Sequence, residues 1–191
     1  LTKSLGWNSF KPFEQNDIEE FSRDLIDTLE EKMKGTKFEN SIANLFRGRF
    51  RNRIRCKKIE FQTCKEEHFY DLPIVVKGFS KLSESLKSYI SEEQLIGDNK
   101  YDTNTKYGKQ DAVIDIKFIE FPPVLHILLK RFMFDFKHNK MTKINDYYEF
   151  PETMDLTEYL ADDSPQKKMS NIYDLYGVLV HSGNYSGGHY Y

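Results

Sequence analysis

The chain ends in His181-Ser182-Gly183-Asn184-Tyr185-Ser186-Gly187-Gly188-His189-Tyr190-Tyr191, and this segment holds its densest potential for chemistry. A histidine directly after two glycines, at the mouth of a strand, suits a base that must meet substrate. The glycines let another backbone approach closely, and the strand fixes the direction of the imidazole. The same residues also fit an ordinary hairpin turn with an exposed histidine. Near the other end, Asp17 and Glu20 stand three apart in the first turn of an expected helix and project from neighbouring faces. Acids at that position complement the helix dipole without any further role. Only two cysteines are present, Cys56 and Cys64. Arg55, Lys57 and Lys58 beside Cys56 would favour its thiolate.

These groups need elements to position them. Ile18, Phe21, Leu25, Leu29 and Met33 recur at helical spacing and predict a helix over about 17–34. Asn16 with Glu19 suits its start, and Gly35 its end. Arginine at every odd position over 47–55, with Phe50 and Ile54 on the other face, predicts a strand. Residues 56–58 break that alternation before Ile59 and Phe61 resume it, as in a ribbon with a turn. Further strands are expected at 70–76, 113–121, 124–132, 144–150 and 176–181. Leu82, Leu86, Tyr89 and Ile90 mark a short amphipathic helix. The stretches 97–111 and 135–143 read as polar loops, and 182–188 as a glycine-rich turn. The sum is an α+β protein, helical in front and sheet-rich behind.

Composition narrows the classes. With 191 residues, 15% aromatic and 30% charged, the chain can bury one sizeable core. The net charge of -2 exerts no global pull on nucleic acid or anionic membrane. No apolar run approaches the length of a membrane span, and no signal peptide opens the chain. Two scattered cysteines fit a reducing compartment, cytoplasmic or nuclear, better than a disulfide scaffold.

Four segments in order carry a resemblance. Gln15-Asn16-Asp17-Ile18-Glu19-Glu20-Phe21, Gly97-Asp98-Asn99-Lys100-Tyr101, the 123–132 strand closing on Lys130-Arg131-Phe132, and Gly187-Gly188-His189-Tyr190 resemble motifs of the ubiquitin-specific proteases. The set spans nearly the whole chain. The branch it resembles is the herpesvirus-associated one.

The resemblance implies part of a papain-like catalytic domain: thumb over about 1–44, fingers and an adjoining helix over about 45–120, and palm over about 121–191. It implies a thiol hydrolase that cuts after ubiquitin's C-terminal glycine pair. A cysteine thiolate attacks, and a histidine activates the thiol and protonates the leaving amine. His189 takes the histidine's place. The nucleophile box is expected upstream of Leu1 and the orienting residue beyond Tyr191. Cys56 and Cys64 fall in the fingers, so this polypeptide alone is expected to be inactive. Asp17 and Glu20 resemble the pair that meets the arginines of ubiquitin's tail. Phe132 and His181 resemble residues lining the tail channel, and Gly187 and Gly188 leave room for the glycine pair. Tyr190 contacts substrate or packs, and Phe132 suits a core position equally. Residues 135–140 correspond to a blocking loop, with Lys137, His138 and Asn139 facing solvent.

Many members of that family pin the fingertips with zinc on two Cys-x-x-Cys knuckles. Here Cys56 matches one ligand, while Ile59, Thr103 and Lys106 stand where the others belong. No metal or other cofactor is therefore expected, which is a trait of the herpesvirus-associated branch. Two rival functions remain. The arginine row could bind nucleic acid, although Glu60, Glu66 and Glu67 would weaken it and a solvated ribbon edge explains it better. A non-catalytic ubiquitin-binding or scaffolding module is the other. The partners expected are ubiquitin and ubiquitinated proteins.

Overall fold

The computed structural model describes residues 17–191, so Asn16 and Gln15 lie outside the described residues. Helix α1 (Ile18–Met33) is capped by Asp17, whose side chain accepts a hydrogen bond from the Glu19 backbone N–H at 2.8 Å. That bond satisfies one of the donors a helix start leaves unpaired. Gly35, at φ +72°, turns the chain away after the helix. Ile26 is the buried residue of α1, and Ile18, Phe21, Leu25 and Leu29 are half-buried. A short helix α2 (Ser41–Phe46) follows.

Strands β1 (Gly48–Cys56) and β2 (Gln62–Phe69) form the expected ribbon. With β4 (Glu93–Leu95) and β7 (Ala112–Glu120) they make an antiparallel sheet in the order β2-β1-β7-β4. β1 is thus an interior strand, which corrects the expectation that its arginines line a solvated edge. The chain reverses at Tyr70 into β3 (Asp71–Val75), which pairs in parallel with β8 (His126–Lys130). Helix α3 (Leu82–Tyr89) packs on β3. Two-residue strands β5 (Tyr101–Asp102) and β6 (Lys109–Gln110) close the polar stretch before β7.

Four further expectations are corrected. The apolar run at 124–132 bends at Arg131, so β8 is followed by a separate β9 (Phe132–Asp135). The stretch after it is not all loop: β10 (Lys140–Lys143) pairs back on β9. Residues 144–150 form no ladder, because Arg131 donates to the Ile144 and Asp146 carbonyls, both at 3.1 Å. Glu149 instead pairs its backbone with Ser80 and Leu82. Of the strand expected at 176–181, only Val180 and His181 pair, with Tyr191 and Tyr190. A ribbon of β11 (Thr153–Asp155) and β12 (Ile172–Asp174) gave no clear alternation in sequence.

The core gathers Leu72 and Ile74 of β3, Leu86 of α3, Phe118 of β7, then Phe121, Leu156 and Tyr159. Burying an aliphatic or aromatic side chain of this size contributes roughly 1.5–3 kcal/mol. Gln166 joins the layers: its amide accepts from Phe121 N–H at 2.8 Å and donates to Phe121 O at 3.0 Å, as a neighbouring strand would. Among the described residues no helix is long and apolar enough to cross a membrane.

Candidate functional site

The final ribbon, β13 (His181–Asn184) with β14 (Gly187–Tyr190), pairs His181 with Tyr190 and Ser182 with His189. Side chains alternate along a strand, so the register divides the expected site between two faces. His189 shares its face with Ser182 and is exposed. His181 and Tyr190 share the other, with ring centroids 4.8 Å apart. Phe132 meets His181 edge-on at 5.3 Å, which places it in this cluster rather than in the core.

Tyr190 also reaches the first helix. Its hydroxyl donates to Asp17 Oδ2 at 3.1 Å, joining the histidine strand to the cap of α1. Burial, with the Asp17 carboxylate beside it, pushes the Tyr190 phenol up to about 12. Asp17 therefore serves its own helix and its own tyrosine at once. Glu20 is exposed one turn on and, with Asp17, Glu19, Arg23 and Asp24, lines a depression of about 250 Å³. Arg23 is held there by Glu19 at 2.9 Å and by Asp71 at 3.3 Å.

Two glycines shape the ribbon. A Cβ on Gly188 would lie 2.2 Å from His181 Nε2, so the imidazole occupies the space a side chain would need. Gly183 has φ +136°, and its Cβ would lie 2.4 Å from the Gly187 carbonyl oxygen. Gly187 is half-buried. The Nδ1 of His181 is buried without a hydrogen-bond partner among the described residues.

The hairpin tip between β9 and β10 exposes Lys137, His138 and Asn139. Asp135 organises it, accepting from the backbone of Lys137 and His138 and bonding the His138 ring at 2.7 Å. Phe136 at the same tip is 88% exposed. One residue that sequence reasoning missed is Lys143, at the end of β10. Its Nζ donates to the carbonyls of His181 at 2.7 Å and Gly183 at 3.1 Å. A lysine closing a polar run gave no signal of that contact.

The remaining candidates lie elsewhere. Cys56 is half-buried at the end of β1 and Cys64 exposed on β2, both free thiols. Thr103 is buried and bonds Thr105 and the Gly108 carbonyl, so a hydroxyl network holds the turn where a knuckle would stand. The arginine row is met by carboxylates: Arg49 and Arg51 by Glu66, Arg51 also by Asp163, Arg53 by Asp115, and Arg55 by Glu92. Four of the five arginines are thus answered by carboxylates, and Arg47, ahead of the strand, is exposed.

A long helix capped beside a histidine ribbon, followed by mixed sheets, is the make-up of a partial papain-like catalytic domain of the ubiquitin-specific protease type. Residues 1–191 match the family described as ubiquitin carboxyl-terminal hydrolase, and the chain belongs to that family. It is 46% identical over 191 residues to ubiquitin carboxyl-terminal hydrolase 5 of Schizosaccharomyces pombe. It is 43% identical over 199 residues to ubiquitin carboxyl-terminal hydrolase 15 of Saccharomyces cerevisiae. In both comparisons the whole chain is matched, but it spans only 17% and 16% of these relatives' lengths. Among solved structures, the SAGA Ubp8/Sgf11/Sus1/Sgf73 DUB module bound to ubiquitin aldehyde superposes with a TM-score of 0.78 at 26% identity. That match covers 93% of this chain and 41% of the other.

Proposed function

We propose that this chain is the histidine-bearing part of a deubiquitinating thiol hydrolase that cleaves the bond following ubiquitin's C-terminal glycine. The observation that carries this reading is the pairing of an exposed His189, directly after two glycines, with a Tyr190 anchored to the acidic start of α1. His189 acts as general base toward a cysteine supplied from outside residues 1–191 and then returns the proton to the leaving amine. Phe132, His181, Gly187, Gly188 and Tyr190 line the path of the tail. Asp17 and Glu20 draw its arginines by charge-assisted hydrogen bonds, in a depression that already seats Arg23. The working compartment is cytoplasmic or nuclear.

The test is turnover of a fluorogenic ubiquitin conjugate by the full-length protein. His189→Ala is expected to lower kcat by about 10²–10⁴-fold, the range for losing a general acid–base group. Unchanged turnover would end the proposal. Absence of turnover in the wild-type protein, with ubiquitin binding retained, would favour the scaffolding alternative.

A further inference from the structure

We propose that Lys143 is a positioning residue for His189, acting through the outer edge of β13; the inference rests on the hydrolase reading above. Val180 and Tyr191 exchange both backbone hydrogen bonds, N to O at 2.9 and 3.1 Å. In an antiparallel ladder bonded and non-bonded pairs alternate. His181/Tyr190 and Gly183/Gly188 are therefore non-bonded pairs, and the carbonyls of His181 and Gly183 point away from β14. They need donor partners on the free side of the ribbon. The Lys143 ammonium supplies both, at 2.7 and 3.1 Å, with no strand in between.

The geometry makes this more than edge satisfaction. Lys143 is directly opposite Phe132 across the β9–β10 ribbon. The two neighbours grip the same residue: Phe132 packs on the His181 ring and Lys143 holds the His181 carbonyl. The two carbonyls held by Lys143 bracket Ser182, whose cross-strand partner is His189. The ammonium thus fixes β13 on either side of the point where it sets the histidine's place. A base displaced by about 1 Å can lose on the order of 10²-fold in rate, so this anchoring matters for kcat rather than for binding.

The experiment compares Lys143→Met and Lys143→Arg in the full-length protein. Fluorogenic ubiquitin turnover and amide hydrogen exchange over 181–190 are both read. Lys143→Met is expected to lower kcat at least about tenfold with KM within about twofold, and to quicken exchange in the ribbon. Lys143→Arg, which keeps the donors, is expected to restore most of both. Unchanged kcat in Lys143→Met overturns the positioning role, whatever the exchange shows. A raised KM with kcat kept also overturns it, since Lys143 would then be a substrate contact. If wild-type turnover is absent the hydrolase reading fails, while exchange still decides the anchoring: no quickening in Lys143→Met overturns that too.

Discussion

At the scale of single residues, Gly188 has no room for a side chain. In sequence it reads as room for a substrate backbone; the structure shows a nearer claimant, the ring of His181. Gly188→Ala is expected to destabilise the protein by about 1–3 kcal/mol, as overpacking does, and to lower turnover because His181 must leave Phe132. Urea denaturation with a parallel activity assay checks this; a silent substitution would mean the ring moves freely. Tyr190 gives a pH prediction. Its phenol is held protonated up to about 12, and that of Tyr70, half-buried and hydrogen-bonded to Glu30, likewise to about 12. A folded value above the unfolded value near 10 means the folded state keeps the proton longer. The stabilisation is then full below pH 10 and lost as pH rises toward 12. Tyr190→Phe is expected to flatten part of that alkaline loss in thermal melts recorded across the range. Asp17 reads in sequence as a first-turn acid and as one of a pair resembling the acids that meet ubiquitin's tail, but not as the partner of Tyr190; a partner 173 positions away leaves no local pattern.

Among the elements, the row of arginines on β1 was readable as a strand, but its place inside a sheet was not. Alternation reports a strand's faces and says nothing of how many neighbours it has. The carboxylates that answer the row come from β2, β7 and two loops, so no window of sequence contains both charges. Arg53 and Asp115 are the most buried of these pairs, joined by two hydrogen bonds at 3.1 and 2.6 Å, with Asp115 only 3% exposed. The Arg53 guanidinium holds the Asp115 carboxyl below the usual carboxylate range. The unfolded state therefore binds that proton more tightly. The pair's contribution is complete above about pH 4 and is lost as pH falls through the lower folded value. Asp115→Asn is expected to cost about 2 kcal/mol at neutral pH, less than for a fully buried pair because Arg53 is 39% exposed. Its melts should also lose less stability on acidification than those of the unchanged protein. Equal acid sensitivity would show that other carboxylates dominate. The break at Arg131 and the missing ladder at 144–150 have the same origin as the hidden pairs. One side chain takes carbonyls that a strand partner would otherwise claim.

For the molecule as a whole, the class was legible because four short motifs keep their order across the chain. Their three-dimensional relation was not. Tyr190, read from sequence as contacting substrate or packing, turns out to be a link between the two ends of the described chain. The apolar run from Leu175 to Val180 is exposed, with Tyr176 wholly so, and Tyr191 is exposed at 70%. An exposed patch of this kind implies a neighbour. The isolated chain is expected to bind a hydrophobic dye and to melt below the full-length protein; equal melting would refute this. Ubiquitin carrying a C-terminal electrophile tests the central assignment most directly, because it marks whichever thiol His189 activates. With the full-length protein the account predicts a covalent adduct on a cysteine other than Cys56 and Cys64, forming far more slowly in His189→Ala. An adduct on either of those two thiols, or formation at the same rate without the imidazole, would contradict it.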